Sequence, residues 1–290
     1  MPSLKEIRNR ITSVGSTMQI TSAMKMVSAA KLKRAQDAVT QMRPYAEKLK
    51  EILGNLSATL DLSENALADN RGNANVLIVA ITSNRGLCGG FNNNVIKQVN
   101  QLLVSEYKGS NVKILCLGKK AKDAFKRSDA FYSSPETDSI ADIFADLSFE
   151  NASTLAQAAM DGFLSKRFDK VVIIYNSFVN AATQEVKTEQ FLPIVPAVQE
   201  GATSGDYIFE PSKEEIVTEL IPKSLKVQLF KSLLDSHASE HGARMTAMHK
   251  ATDNAKELQR NLKLTYNKAR QAAITGEILE IVGGAEALKG

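Results

Sequence analysis

The chain has 290 residues, 43% of them hydrophobic, enough for one sizeable core plus an elongated element or for two modest domains. Its formal charge is only +4, yet residues 1–50 hold ten Lys or Arg against three acidic residues, so a basic first segment precedes a mildly acidic middle. Cys88 and Cys116, in segments that read as strand or strand end, lack the CxxC spacing of a metal or redox site and fit a reducing compartment. No run approaches the roughly 20 apolar residues that a membrane span needs, and MPSLKEIRNRI lacks the apolar centre of a secretion signal. A soluble protein is expected. Glu6 and the helical pattern that starts at once also argue against an organelle transit peptide.

In chain order, Leu4, Ile7, Ile11, Val14 and Met18 alternate steps of three and four, the seam of a helix that pairs with another helix. The pattern shifts around 21–31 and resumes from Ala35 through Leu56, with Pro44 predicting a kink or short break. A polar, turn-rich stretch between Asp61 and Asn75 ends the helix. Val76–Thr82 (VLIVAIT) then reads as a buried strand, and a GLCGG turn leads into a helix through Val95, Val99 and Leu102. Next come a strand at Val112–Gly118, a Lys-rich helix at Lys119–Arg127, a short strand near Ala130–Ser133 and a long helical stretch over 140–166. Val171–Phe178 is another strand, and Glu185–Ile194 alternates like an antiparallel edge. Strands alternating with helices predict a largely parallel sheet with crossovers.

Residues 195–211 have the composition of a linker, after which only Pro222 interrupts helix until Gly283. Sixty helical residues would span ~90 Å at ~1.5 Å each, too long to lie inside the sheet domain, so they need a long partner. The N-terminal helix is the one candidate within the chain. The expected fold class is therefore α/β: a long antiparallel two-helix coiled coil of the N- and C-terminal segments, with a central Rossmann-like α/β domain inserted between them. The expected domains are 1–60, 74–195 and 212–288. The predicted seam of the last helix, Met245, Met248, Thr252, Ala255, Leu258, Leu262, Tyr266, Ala269 and Ala273, is rich in small and polar residues, which suggests a slim rod partly sheathed by other proteins.

Three motifs carry possible chemistry. SNRGLCGGFN (Ser83–Asn92) lies where phosphate loops occur, but it is neither GxGxxG nor a P-loop, so its glycines are read as serving a tight turn and close packing. His237–His241 (HASEH) formally matches the HxxEH of some zinc peptidases, yet it lies on a coiled-coil helix without a third ligand or a cleft. The basic N-terminal helix has no interleaved aromatics and reads as a solvated face or a protein-binding face, so no nucleic acid partner is expected.

Three segments together resemble one family, the gamma subunits of F-type rotary ATP synthases: Ile7–Gln36, Ser83–Asn92 and Leu264–Leu288. The last holds the specific core Ile-Thr-x-Glu-x-x-Glu-x-x-x-Gly-Ala. The resemblance covers essentially the whole chain. It implies a non-catalytic central-stalk rotor without cofactor or metal, turning inside three catalytic and three non-catalytic nucleotide-binding subunits, beside an epsilon subunit and upon a membrane ring of proton-carrying subunits. It also implies rotor–stator contacts. Met24 and Arg244 match positions near an acidic catch loop of a catalytic subunit and the helix seam behind it, while Arg270, Gln271 and Thr275 match contact positions higher up. The end GGAEALKG would serve as a bearing. The linker lacks the cysteine pair of plastid members, and the start lacks the leader of mitochondrial ones, which points to a bacterial protein peripheral to the cytoplasmic face of the inner membrane. The alternative reading is a coiled-coil adaptor with a degenerate nucleotide-binding α/β domain.

Overall fold

The structure, a computed structural model, describes residues 3–59, 66–135, 142–194 and 213–287. The predicted linker 195–211 lies outside the described residues. Among the described residues the elements are α1 (Leu4–Thr59), β1 (Asn75–Ile81), α2 (Phe91–Val104), β2 (Asn111–Leu117), α3 (Lys119–Phe125), β3 (Phe131–Tyr132), α4 (Phe149–Leu164), β4 (Lys170–Phe178), β5 (Gln184–Leu192) and α5 (Lys213–Ala287). The chain divides into two compact units, one of residues 1–27 with 245–290 and one of residues 28–244.

In the larger unit the strands lie in the order β3-β2-β1-β4-β5, parallel except for β5, which pairs antiparallel with β4 at one edge. The near-continuous apolar runs of β1, β2 and β4 follow from coverage on both faces. Leu77, Val79, Ile81, Leu115, Val171 and Ile173 pack with Leu155, Met160 and Phe163 of α4. The alternate residues Val76, Ile78, Ala80, Ile114, Val172 and Ile174 pack with Val95 and Val99 of α2 and Phe125 of α3. Helix α5 contributes Ile221, Leu225, Leu229 and Leu233 to the α4 side. The first part of the long helix is thus sheet core, although its length predicts a partner outside the sheet domain. Its apolar stripe at steps of four residues is used by the sheet before the helix reaches the smaller unit.

Three local expectations need correction. Of the kink or short break expected at Pro44, the break does not occur: helix α1 runs through it. Thr40, whose carbonyl loses its usual partner there, is exposed, so water can replace the missing bond. The helix predicted over 140–166 is shorter: α4 starts at Phe149, where Ser148 caps it by accepting from the Asn151 N–H, and residues 142–145 form a turn. Cys88 lies in the loop after β1 rather than in a strand.

In the smaller unit the two chain ends pair antiparallel. Thr252 Oγ1 donates to Thr21 Oγ1 at 2.8 Å, and a Cβ on Gly15 would come within 2.9 Å of Gln259 Nε2, so moving toward the start of α1 means moving toward the end of α5. Met248 and Ala255 are buried, but Leu258 is half exposed and Gln259 takes the inward position. The seam steps 252, 255, 259, 262, 266 and 269, keeping alternate threes and fours; apolarity alone placed Leu258 there. Ala273, also predicted for the seam, is exposed.

Candidate functional site

The register of the paired ends puts Leu4, the first residue of α1, opposite about residue 270 of α5. Beyond that point α5 continues to Ala287, past the start of α1. On this overhang Ile274, Ile278, Leu279, Ile281 and Val282 are all exposed, Ile281 by 72%. Five large apolar side chains on one stretch of single helix form a patch that soluble surfaces rarely carry without a partner. Among the candidate contacts, Arg270, Gln271 and Thr275 are exposed at the start of this stretch, Gln271 and Thr275 one turn apart on one face. Met24 is half-buried and lies opposite about residue 250, some 30 Å along α5 from Arg270. The structure therefore groups three of the five residues and sets Met24 apart along the same unit.

Arg244, in the larger unit, is not at the surface. Its side chain and that of Glu240 are only 8% and 9% exposed, and Arg244 Nη1 donates to Glu240 Oε1 at 2.6 Å. Nη2 donates to the carbonyls of Arg85 (3.1 Å) and Gly86 (3.3 Å), and Nε also donates to Gly86 O (3.3 Å). Burial pushes the Glu240 carboxyl up, against the pull of the guanidinium. The receiving loop is itself fixed. Asn92 Oδ1 accepts from the Ser83 amide, Asn92 Nδ2 donates to Ser83 Oγ, whose own hydroxyl donates to Arg85 O, and Leu87 and Gly89 both adopt positive φ, 62° and 59°. Cys88 and Phe91 are buried with Ala243 of α5.

This loop follows β1 at the point where strand order reverses between β2 and β4, the crevice where doubly wound sheets take a nucleotide. Here the polarity is opposite to that of a phosphate loop. Carbonyls face a cation, the Ser83 N–H is occupied by Asn92, and α5 fills the space. Burial pushes the Cys88 thiol up and the Cys116 thiol to about 12, so both are weak nucleophiles at neutral pH.

The HASEH histidines join the same network. Arg244 Nη1 lies 3.3 Å from His241 Nδ1, and His241 Nε2 lies 3.2 Å from His237 Nε2. A guanidinium only donates, so His241 Nδ1 accepts. Its Nε2 then carries the proton and donates to His237 Nε2, which leaves His237 protonated on Nδ1. Burial and the nearby cations Lys31 and Arg244 lower His237 to about 4. Burial, His237 and the same cations lower His241 to about 3. Cations, rather than a third ligand, surround the pair, and among the described residues no group of three or more metal-ligating side chains occurs.

A pH dependence follows. The folded imidazoles titrate below the unfolded value near 6.5, so unfolding takes up protons and their contribution, complete above pH 6.5, is lost as pH falls toward 4. Between pH 6.5 and 5 the loss is roughly 2 kcal/mol for each imidazole. Denaturant unfolding at pH 7 and pH 5 measures it, and a His237→Gln, His241→Gln chain should lose clearly less than wild type. Equal losses would assign the acid lability to other groups.

A family model described as ATP synthase matches residues 3–288. An ATP synthase gamma chain of Flavobacterium johnsoniae is 62% identical over 292 aligned positions, with all of both chains covered. The chain belongs to the ATP synthase gamma-chain family. A second family member, from Christiangramia forsetii, is 60% identical over 291 positions, again with full coverage of both chains. A chain from the cryo-EM structure of the Euglena gracilis mitochondrial ATP synthase (OSCP/F1/c-ring, rotational state 3) superposes with a TM-score of 0.66 at 21% identity, covering 98% of this chain and 94% of that one. That likeness shows the gamma-chain fold: long terminal helices packed together and a central sheet domain.

The residue-level signals differ in how readable they were. The apolar overhang is present in the sequence as Ile274, Ile278 and Ile281, just beyond the predicted seam that ends at Ala273, but periodicity alone does not say where the partner helix stops. Glu240 as the partner of Arg244 was readable as an i, i+4 acid–base pair. The carbonyls of Arg85 and Gly86 had no sequence signal, because every residue carries one.

Proposed function

We propose that this chain is the central-stalk rotor of a bacterial F-type ATP synthase and has no active site of its own. In this reading residues 1–60 and 212–288 serve as the axle, and the α/β domain, 74–195, stands on a membrane ring of proton-carrying subunits beside an epsilon subunit. Three catalytic and three non-catalytic nucleotide-binding subunits surround the upper axle. The complex is peripheral to the cytoplasmic face of the inner membrane. Among the described residues no helix is long and apolar enough to cross a membrane, which is consistent with that placement. Met24, Arg244, Arg270, Gln271 and Thr275 are the proposed positions of contact with the head.

The observation that carries the proposal is the overhang. A single helix bearing exposed Ile274, Ile278, Leu279, Ile281 and Val282 fits an apolar sleeve supplied by other subunits. One asymmetric rod inside a three-fold ring offers each catalytic site a different surface, and a partner shifts an equilibrium only through such differential contacts. Driving a site from 1:99 to 99:1 takes ~5.5 kcal/mol, while one charge crossing 100 mV supplies ~2.3, so several protons act through one shaft. The alternative of a degenerate nucleotide-binding adaptor is disfavoured by Arg244 and Ala243, which occupy the crevice a nucleotide would need.

Truncation tests the proposal. Removing residues beyond Leu264 should leave the sheet domain folded by circular dichroism while abolishing proton-driven ATP synthesis in reconstituted vesicles. A truncated chain that supported full synthesis would refute the assigned role of the overhang.

A further inference from the structure

We propose that Gly242 and Arg244 form a clutch that fixes the rotational setting of α5 on the α/β domain; the proposal rests on the rotary reading above. Torque entering the domain reaches the axle only if the helix cannot roll in its seat. Close apolar packing, as of Leu225, Leu229 and Leu233, forbids large rolls but leaves small rotations soft, because dispersion contacts are non-directional. A polar, directional restraint resists them strongly.

Two restraints, one steric and one polar, act within three residues of α5. A Cβ on Gly242 would lie 3.3 Å from both Cα and O of Ala181 and 3.4 Å from Phe178 Cε2, so the helix backbone rests directly on the β4–β5 hairpin. The hairpin tip is itself rigid: Asn180 Oδ1 accepts from the amides of Ala182 and Thr183 at 2.9 and 2.8 Å. Two residues later the Arg244 fork grips the carbonyls of Arg85 and Gly86, while Ala243 is buried with Cys88 and Phe91. At ~100° per residue, positions 242 and 244 project ~200° apart, on nearly opposite sides of α5. Rolling one way drives backbone into the hairpin, and rolling either way pulls the guanidinium off its carbonyls. Glu240, one turn back, holds the guanidinium through Nη1. Nearer the start of the helix, Gln228 Nε2 donates to Gln190 O of β5 at 3.2 Å, which adds an axial stop.

The role given to Arg244 is therefore that of a positioning residue acting through α5, and it is separable from any contact with the head. Arginine suits it because one fork reaches two carbonyls and a carboxylate at once; lysine, a point charge, keeps the Glu240 pair but cannot span both carbonyls.

The test uses the assembled head with this chain in place, immobilised, and a bead on Val104→Cys, a site 74% exposed on α2; the native Cys88 and Cys116 are buried. During ATP-driven rotation the angular spread of the bead at each dwell reports how tightly the domain follows α5. Arg244→Lys should widen that spread and speed amide exchange in residues 85–92 by about tenfold. Gly242→Leu, which lifts the helix from the hairpin, should widen the spread with ATP turnover unchanged. If Gly242→Leu fails to assemble, Arg244→Lys decides alone. Unchanged spread and unchanged exchange in Arg244→Lys would overturn the clutch. A wild-type bead that never rotates would instead overturn the rotary reading, and the exchange measurement would still judge the clutch.

Discussion

Replacing Arg244 by leucine is expected to lower the unfolding free energy of the isolated chain by about 3–5 kcal/mol, because the change strands the Glu240 carboxylate and two loop carbonyls in a buried site. Few single surface changes approach that size. Denaturant midpoints measure the loss, and the second arm decides its cause. Adding Glu240→Gln to Arg244→Leu removes the stranded charge and should recover part of the loss, so the two changes together cost less than their sum. Strict additivity would mean that the pair is uncoupled and that the loss comes from packing alone. The measurement also bears on function. A coupling defect in an Arg244 variant of the assembled synthase is interpretable as a lost contact with the head only after this intrinsic cost has been subtracted.

The second large effect is expected at Gly118, between β2 and α3. Its φ of 101° and ψ of 146° fall in a region open essentially to glycine alone, and a Cβ would stand 2.1 Å from the Thr82 carbonyl oxygen. Thr82 cannot retreat easily, since its N–H donates to Leu117 O and its Oγ1 accepts from the Ala121 amide. Gly118→Ala should therefore cost about 3 kcal/mol or more. Gly72 supplies the comparison: its φ is also positive, 85°, but nothing lies within 4 Å of a Cβ there. Gly72→Ala should cost only the backbone term, about 1–2 kcal/mol. Thermal or denaturant unfolding of the two variants side by side separates steric clash from backbone strain. Comparable losses would show that the approach to Thr82 relaxes freely.

Much of the sheet was legible because a strand covered on both faces must be apolar at every position, and β1, β2 and β4 are. The alternating pattern of β5 likewise announced an edge. The long helices were legible by periodicity, but the seam was not fully so. Leu258 and Gln259 compete for one inward position, and the hydrophobic choice loses because the helical step of three then four places Gln259 opposite Gly15, where a glycine leaves room for an amide. The proposed contact residues illustrate the same limit. Arg270, Gln271 and Thr275 lie exposed on a helix that local periodicity predicts, whereas Arg244 is buried by a loop 158 residues away in sequence.

The amino-acid sequence by itself determined the family, the strands and their class, and the presence of two long terminal helices, because these depend on motif identity and on local periodicity. Only the tertiary structure decided which stretch of α5 is sheet core, where its apolar overhang begins, and that the glycine loop after β1 receives an arginine rather than a phosphate. Those outcomes depend on register and on backbone carbonyls brought together across the chain, and neither is encoded in any one segment.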